Sequence, residues 1–147
     1  MSRAWRWWLP GYLMNMPMTL VGLLLCALVY RAHSWRWSEG CIECIGGDRI
    51  WGRPGAQTLG IVIVYADDHQ RRRKDLRVHE RVHVVQGAVG GILFALAYGV
   101  SFLWFWVGSG FAHWHDAYMR IPFEVQAYAR QAAFLRMTVE QRKAVWT

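Results

Sequence analysis

Val78-His79-Glu80-Arg81-Val82-His83-Val84-Val85-Gln86 is the stretch from which the rest of the chain can be read. Two histidines at i and i+4 on a helix lie on one face, a turn apart. Their imidazoles can then bind one Zn²⁺ at about 2.0–2.1 Å. Glu80, next to the first histidine, can reach a zinc-bound water without being a ligand and can take its proton as general base. The spacing is only moderately specific by itself, so its surroundings decide how it is read.

Those surroundings favour a metal site. Upstream, Thr58-Leu59-Gly60-Ile61-Val62-Ile63-Val64-Tyr65 is β-branched, ends at Asp67-Asp68, and predicts a strand. Residues 66–74 read as a polar loop. Asp75 is an N-cap candidate for a helix that carries the histidines to about Gly87. A third protein ligand usually completes a catalytic zinc site and leaves a fourth position open. The candidates are Glu124, His113, His115 and Asp116. Glu124 ranks first, because it falls in the first turns of a helix that starts near Ile121-Pro122 and runs to about Met137. His113 and His115 flank Trp114, where they can serve as a ligand, an oxyanion donor or ordinary interface residues.

The chain has 147 residues, 54% of them hydrophobic and ten of them Trp. That length allows one modest domain and an anchor. Residues 7–30 form 24 consecutive positions without charge, long enough as a helix to cross a bilayer. Asn15 and Pro17 weaken its first half. Trp5, Trp7, Trp8 and Trp35 border this run, and Trp104 and Trp106 lie in a second uncharged run, residues 84–112. Such rings suit a membrane interface. An uncleaved anchor is favoured over a signal peptide because the residues around Ala32-His33-Ser34 make a poor cleavage site. Residues 33–57 read as irregular.

The net charge of +7 is compatible with anionic lipid or nucleic acid. The basic run Arg71-Arg72-Arg73-Lys74 has no nucleic-acid motif around it, so a solvated loop or lipid-headgroup contact is expected and nucleic acid is not. Cys41-x-x-Cys44 supplies two thiols, too few for a structural zinc; a disulfide or two free thiols are both open. Cys26 reads as a buried small hydrophobe.

The segments around Thr58-Leu59-Gly60, His79-Glu80-Arg81-Val82-His83-Val84-Val85-Gln86, and Tyr118 with Pro122-Phe123-Glu124 and Ala127 together resemble a group of small bacterial HExxH proteins related to gluzincin-type zinc metallopeptidases. The resemblance covers about residues 50–135. It implies His79, His83 and Glu124 as zinc ligands, Glu80 as catalytic base, and Gln86 and Tyr118 as auxiliary residues beside His113 and His115. The chain departs from the group at Ile121, where the group often has Asn.

The expected fold is mainly α with a small β element. Residues 1–32 form an N-terminal transmembrane anchor, and residues 33–147 a zincin-like α+β metal-binding domain. If His79, His83 and Glu124 share one metal, residues 88–112 cannot cross the bilayer once, since that would separate the ligands by about 30 Å. Those residues should instead be buried, or hug the membrane as a hairpin broken near Gly99. The expected function is a zinc metallopeptidase of a bacterial inner membrane, with one N-terminal span, acting on a peptide or protein. The alternative is a non-catalytic accessory subunit of a membrane-protein complex that keeps the fold. A small holin-like effector with an accidental HERVH is the weakest reading.

Overall fold

The computed structural model describes residues 5–46 and 55–144. In chain order the elements are α1 (Trp5–Leu28), β1 (His33–Ser38), β2 (Cys41–Ile45), β3 (Ala56–Leu59), β4 (Val62–Tyr65), α2 (Asp68–Arg72), α3 (Lys74–Gly108), α4 (Trp114–Met119), α5 (Pro122–Arg136) and α6 (Val139–Ala144). The protein is mainly helical, with an apolar N-terminal helix and one four-stranded sheet in the order β1-β2-β4-β3.

β4 explains the layering. All four of its residues are buried, which requires cover on both faces of the sheet. Val62 and Val64 pack with Cys26 of α1 and Cys44 of β2. Ile63 and Tyr65 point the other way, against Val84 of α3 and Cys41. The sheet therefore lies between α1 and the start of α3. β2 runs parallel to β4, while the β1–β2 and β3–β4 pairs are antiparallel hairpins.

Two sequence expectations fail here. The run 58–65 is a hairpin rather than one strand, because Gly60 turns the chain with φ +62 and Leu59 pairs with Val62. Glycine at the first position of a two-residue turn suits that geometry. Any Cβ on Gly60 would come within 2.4 Å of the Thr19 backbone nitrogen. The segment 33–57 is also not irregular: His33–Ser38 and Cys41–Ile45 pair through a turn at Glu39 and Gly40, both at positive φ. Residues 47–54 of that segment lie outside the described residues, as do the side chains of Trp5, Trp7 and Trp8.

The expected polar loop contains α2, N-capped by the Asp67 side chain, which accepts from the Gln70 amide at 2.7 Å. The basic run is paired internally. Arg71 and Arg72 both reach Asp68, and Arg73 reaches Asp75. α3 starts at Lys74 with Arg73 as its N-cap residue, so Asp75 sits in the first turn instead of capping it. Nor does the helix end near Gly87. It continues to Gly108, bent at Gly91 (φ 54, ψ −136) and unbroken at Gly99. A straight helix would separate residues 83 and 98 by about 22 Å. The rings of His83 and Tyr98 are instead 6.2 Å apart, so the bend folds the second half of α3 back towards the first.

α1 is packed inside out relative to a soluble helix. Its inward stripe is Asn15, Thr19, Gly22 and Cys26, all buried. Leu13, Leu20, Leu24 and Leu28 are exposed. The Asn15 amide donates to the Val84 carbonyl of α3 at 3.1 Å, and Thr19 Oγ1 accepts from the Ile61 amide of the β3–β4 turn. Asn15 thus joins two helices. Small and polar residues at the contact, with large apolar ones outside, are the pattern of helices packed in lipid. By length and composition both Leu9–Leu28 and α3 qualify as membrane-crossing helices. α3 also exposes Leu93, Leu96, Val100, Leu103 and Trp104.

Candidate metal centre

The packing of α5 against the first half of α3 brings three candidate ligand residues together. His83 Nε2 is 3.1 Å from Glu124 Oε1, His79 Nε2 is 3.2 Å from Glu124 Oε2, and the two Nε2 atoms are 3.3 Å apart. All three residues are buried. Ligands about 2.0–2.2 Å from a tetrahedral metal sit roughly 3.3–3.5 Å from one another, so the cluster has nearly the dimensions of a loaded site. Glu124 Oε2 makes no well-formed hydrogen bond. Two imidazole nitrogens and a carboxylate edge aimed at one point form a site that can hold a metal ion.

The surroundings prepare those atoms. His83 Nδ1 lies 2.8 Å from Gln86 Oε1. The Gln86 carbonyl can only accept, so the proton sits on Nδ1 and the Nε2 lone pair is free for a metal. The Gln86 amide nitrogen in turn donates to the Phe123 carbonyl and to Gln126 Oε1, both on α5. Gln86 thus orients one histidine while joining the helix of the histidines to the helix of Glu124. Pro122 at the start of α5 sets the first turn, which places Glu124 two residues in.

Tyr98 comes from the apolar half of α3, and its hydroxyl donates to Glu124 Oε1 at 2.6 Å. Tyr118 lies close enough to Glu124 to feel its charge. Burial, and then the charge of Glu124, push the Tyr118 hydroxyl well above the ordinary phenol range, so it remains a donor. Tyr128 packs edge-on against His79, with centroids 4.5 Å apart. Burial alone would raise the Glu124 carboxyl. The adjoining His79 and His83 rings and the Tyr98 hydroxyl outweigh it and hold the group far below the usual carboxylate range.

Glu80 is buried beside the cluster and is not part of it. Its Oε2 accepts from Thr58 Oγ1 on β3 at 2.7 Å. One turn earlier on α3, Arg77 is fixed by fully buried Glu43 of β2, at 3.0 Å. Glu43 also pairs with Arg36 of β1. The sheet therefore grips α3 on either side of His79.

The residues marked out by sequence divide clearly. His79, His83 and Glu124 converge, with Glu80, Gln86 and Tyr118 around them. His113, His115 and Asp116 are exposed and outside the cluster; His115 stacks on Tyr118. Sequence reasoning did not single out Thr58, Tyr98 or Tyr128 as site residues. Thr58 belongs to the quoted Thr-Leu-Gly run, and Tyr98 is the one phenol within the uncharged run 84–112. Cys41 and Cys44 are on opposite faces of β2, in different clusters, so they do not pair with each other.

No family model, curated protein or solved structure matches this chain.

Proposed function

We propose that this is a membrane-associated, zinc-dependent hydrolase of the gluzincin type that cleaves peptide bonds. The observation that carries the proposal is the convergence of two imidazole nitrogens and a carboxylate within 3.1–3.3 Å, with a second buried carboxylate next to them. His79, His83 and Glu124 would hold the ion. Bound there, Zn²⁺ supplies Lewis acidity towards a carbonyl and acidifies water.

The chain's own residues do the rest. In this reading Glu80, buried next to His79, would accept a proton from the attacking water and return it to the leaving amine. Thr58 fixes the rotamer of Glu80 through its hydroxyl. Gln86 keeps His83 in the ligating tautomer, and Tyr98 helps to hold Glu124 in the ionised form a ligand requires. The inside-out packing of α1 and the exposed apolar face of α3 support membrane association, because that surface is costly in water.

The test compares wild type with Glu80→Gln on an unfolded-protein substrate in detergent micelles. Glu80→Gln should keep its metal and lose at least 10²-fold in hydrolysis. Equal metal content with no hydrolysis in either protein would favour the accessory-subunit reading.

A further inference from the structure

All three cysteines are free thiols and all are buried, but only two of them meet. Cys44 Sγ lies 3.6 Å from Cys26 Sγ, a van der Waals contact. Cys26 is on the inward stripe of α1 and Cys44 on β2, and both belong to the cluster formed with Val62, Val64 and Ala66. Cys41, three residues before Cys44, packs on the other face of the sheet with Ile63 and Tyr65. The obvious sequence pair, Cys41 with Cys44, is excluded by strand alternation. A pair eighteen residues apart in sequence is favoured instead.

We propose that Cys26 and Cys44 are a disulfide site that clasps α1 to the central part of the sheet. Closing the bond needs the sulfurs to approach from 3.6 Å to about 2.05 Å. Small side-chain rotations bridge that gap, since the two residues already face each other. The oxidant is an external disulfide of the glutathione class. One protein thiolate attacks it and releases one thiol, leaving a mixed disulfide. The second thiolate attacks the protein sulfur of that mixed disulfide and releases the second thiol. The two protons lost by the cysteines leave on the two released thiols. Because both sulfurs are almost wholly buried, the exchange takes place while α1 docks on the sheet.

The position gives the bond a structural consequence. Two turns before Cys26, Thr19 of α1 accepts from the Ile61 amide, and Gly60 packs on its backbone. α1 therefore seats the hairpin whose first strand presents Thr58 to Glu80. The clasp fixes α1 on β2, the strand paired with the second strand of this hairpin, without touching the metal cluster. It is independent of whether the cluster binds a metal.

The experiment uses the full chain, purified in detergent without reductant and incubated with a glutathione redox couple during refolding. Free thiols are then counted by maleimide labelling in SDS. Trypsin separates Cys26, on peptide 7–31, from Cys41 and Cys44, on peptide 37–49. The expected result is one free thiol per chain and a reducible species joining the two peptides. The species persists in Cys41→Ser and is absent in Cys44→Ser. Oxidation should raise Tm by about 5–10 °C. Three free thiols in the oxidised wild type, or a bridge that involves Cys41, would overturn the proposal. The wild-type and Cys41→Ser arms decide it even if Cys44→Ser folds poorly.

Discussion

His83 illustrates how much a single side chain depends on its neighbours. The nitrogen it can offer to a metal is set by what the other nitrogen does, and the partner of that nitrogen is Gln86, three residues on. Replacing Gln86 by Ala frees the ring to rotate and to change tautomer. Zinc affinity should fall about 10–100-fold by competition titration, with the helical signal unchanged. Glu124 makes a second prediction, for the metal-free protein. Its carboxyl is held below its ordinary value of 4.5, so it stabilises the fold above that value. The contribution is lost as pH falls towards the depressed folded value. Thermal melts of the metal-free chain should therefore drop on acidification below about pH 4.5, and Glu124→Gln should flatten that part of the curve. At this scale much was legible in the sequence. Two histidines at i and i+4 with a glutamate between them have a shared geometry on any helix, and Pro-Phe-Glu marks a helix start. Tyr98 was not legible, because its role depends on a bend that brings it back over fifteen residues of helix.

That bend belongs to the element. Gly91 takes φ 54 and ψ −136, a region that side-chain-bearing residues avoid. Its missing Cβ would also lie 3.2 Å from the Met14 carbonyl oxygen. Gly91→Ala should cost about 1–3 kcal/mol, read as a lower Tm. It should also weaken zinc binding, because Tyr98 would be drawn away from Glu124. Gly99→Ala serves as the contrast: a Cβ there meets nothing within 4 Å, and it should leave both quantities nearly unchanged. From the sequence the break was expected near Gly99, since Gly90-Gly91 and Gly99 both interrupt the apolar run. Only the contact with α1 distinguishes them. The β1–β2 hairpin was missed for a related reason: its turn residues are Glu39 and Gly40 instead of the commoner Asn-Gly. α5, with its N-terminal proline and its end near Met137, was read closely.

For the whole molecule the candidate metal site and the exposed apolar surface form one arrangement. α1 contributes the inner stripe that supports the sheet and α3, and presents leucines outward. The second half of α3 carries Tyr98 to Glu124 on one side and exposes Leu93, Leu96, Val100 and Trp104 on the other. The two uncharged runs suggested membrane contact from composition alone. Their further role as scaffold for the cluster comes from three contacts far apart in sequence: Asn15 with Val84, Thr19 with Ile61, and Tyr98 with Glu124. The central claim is that His79, His83 and Glu124 form one metal site. Elemental analysis of the full chain purified in detergent, after dialysis against trace zinc, tests it most directly. About one zinc per chain is expected in wild type and Glu80→Gln, with loss in His79→Ala and in Glu124→Ala. A metal-free wild type, or zinc undiminished in those two variants, would contradict it.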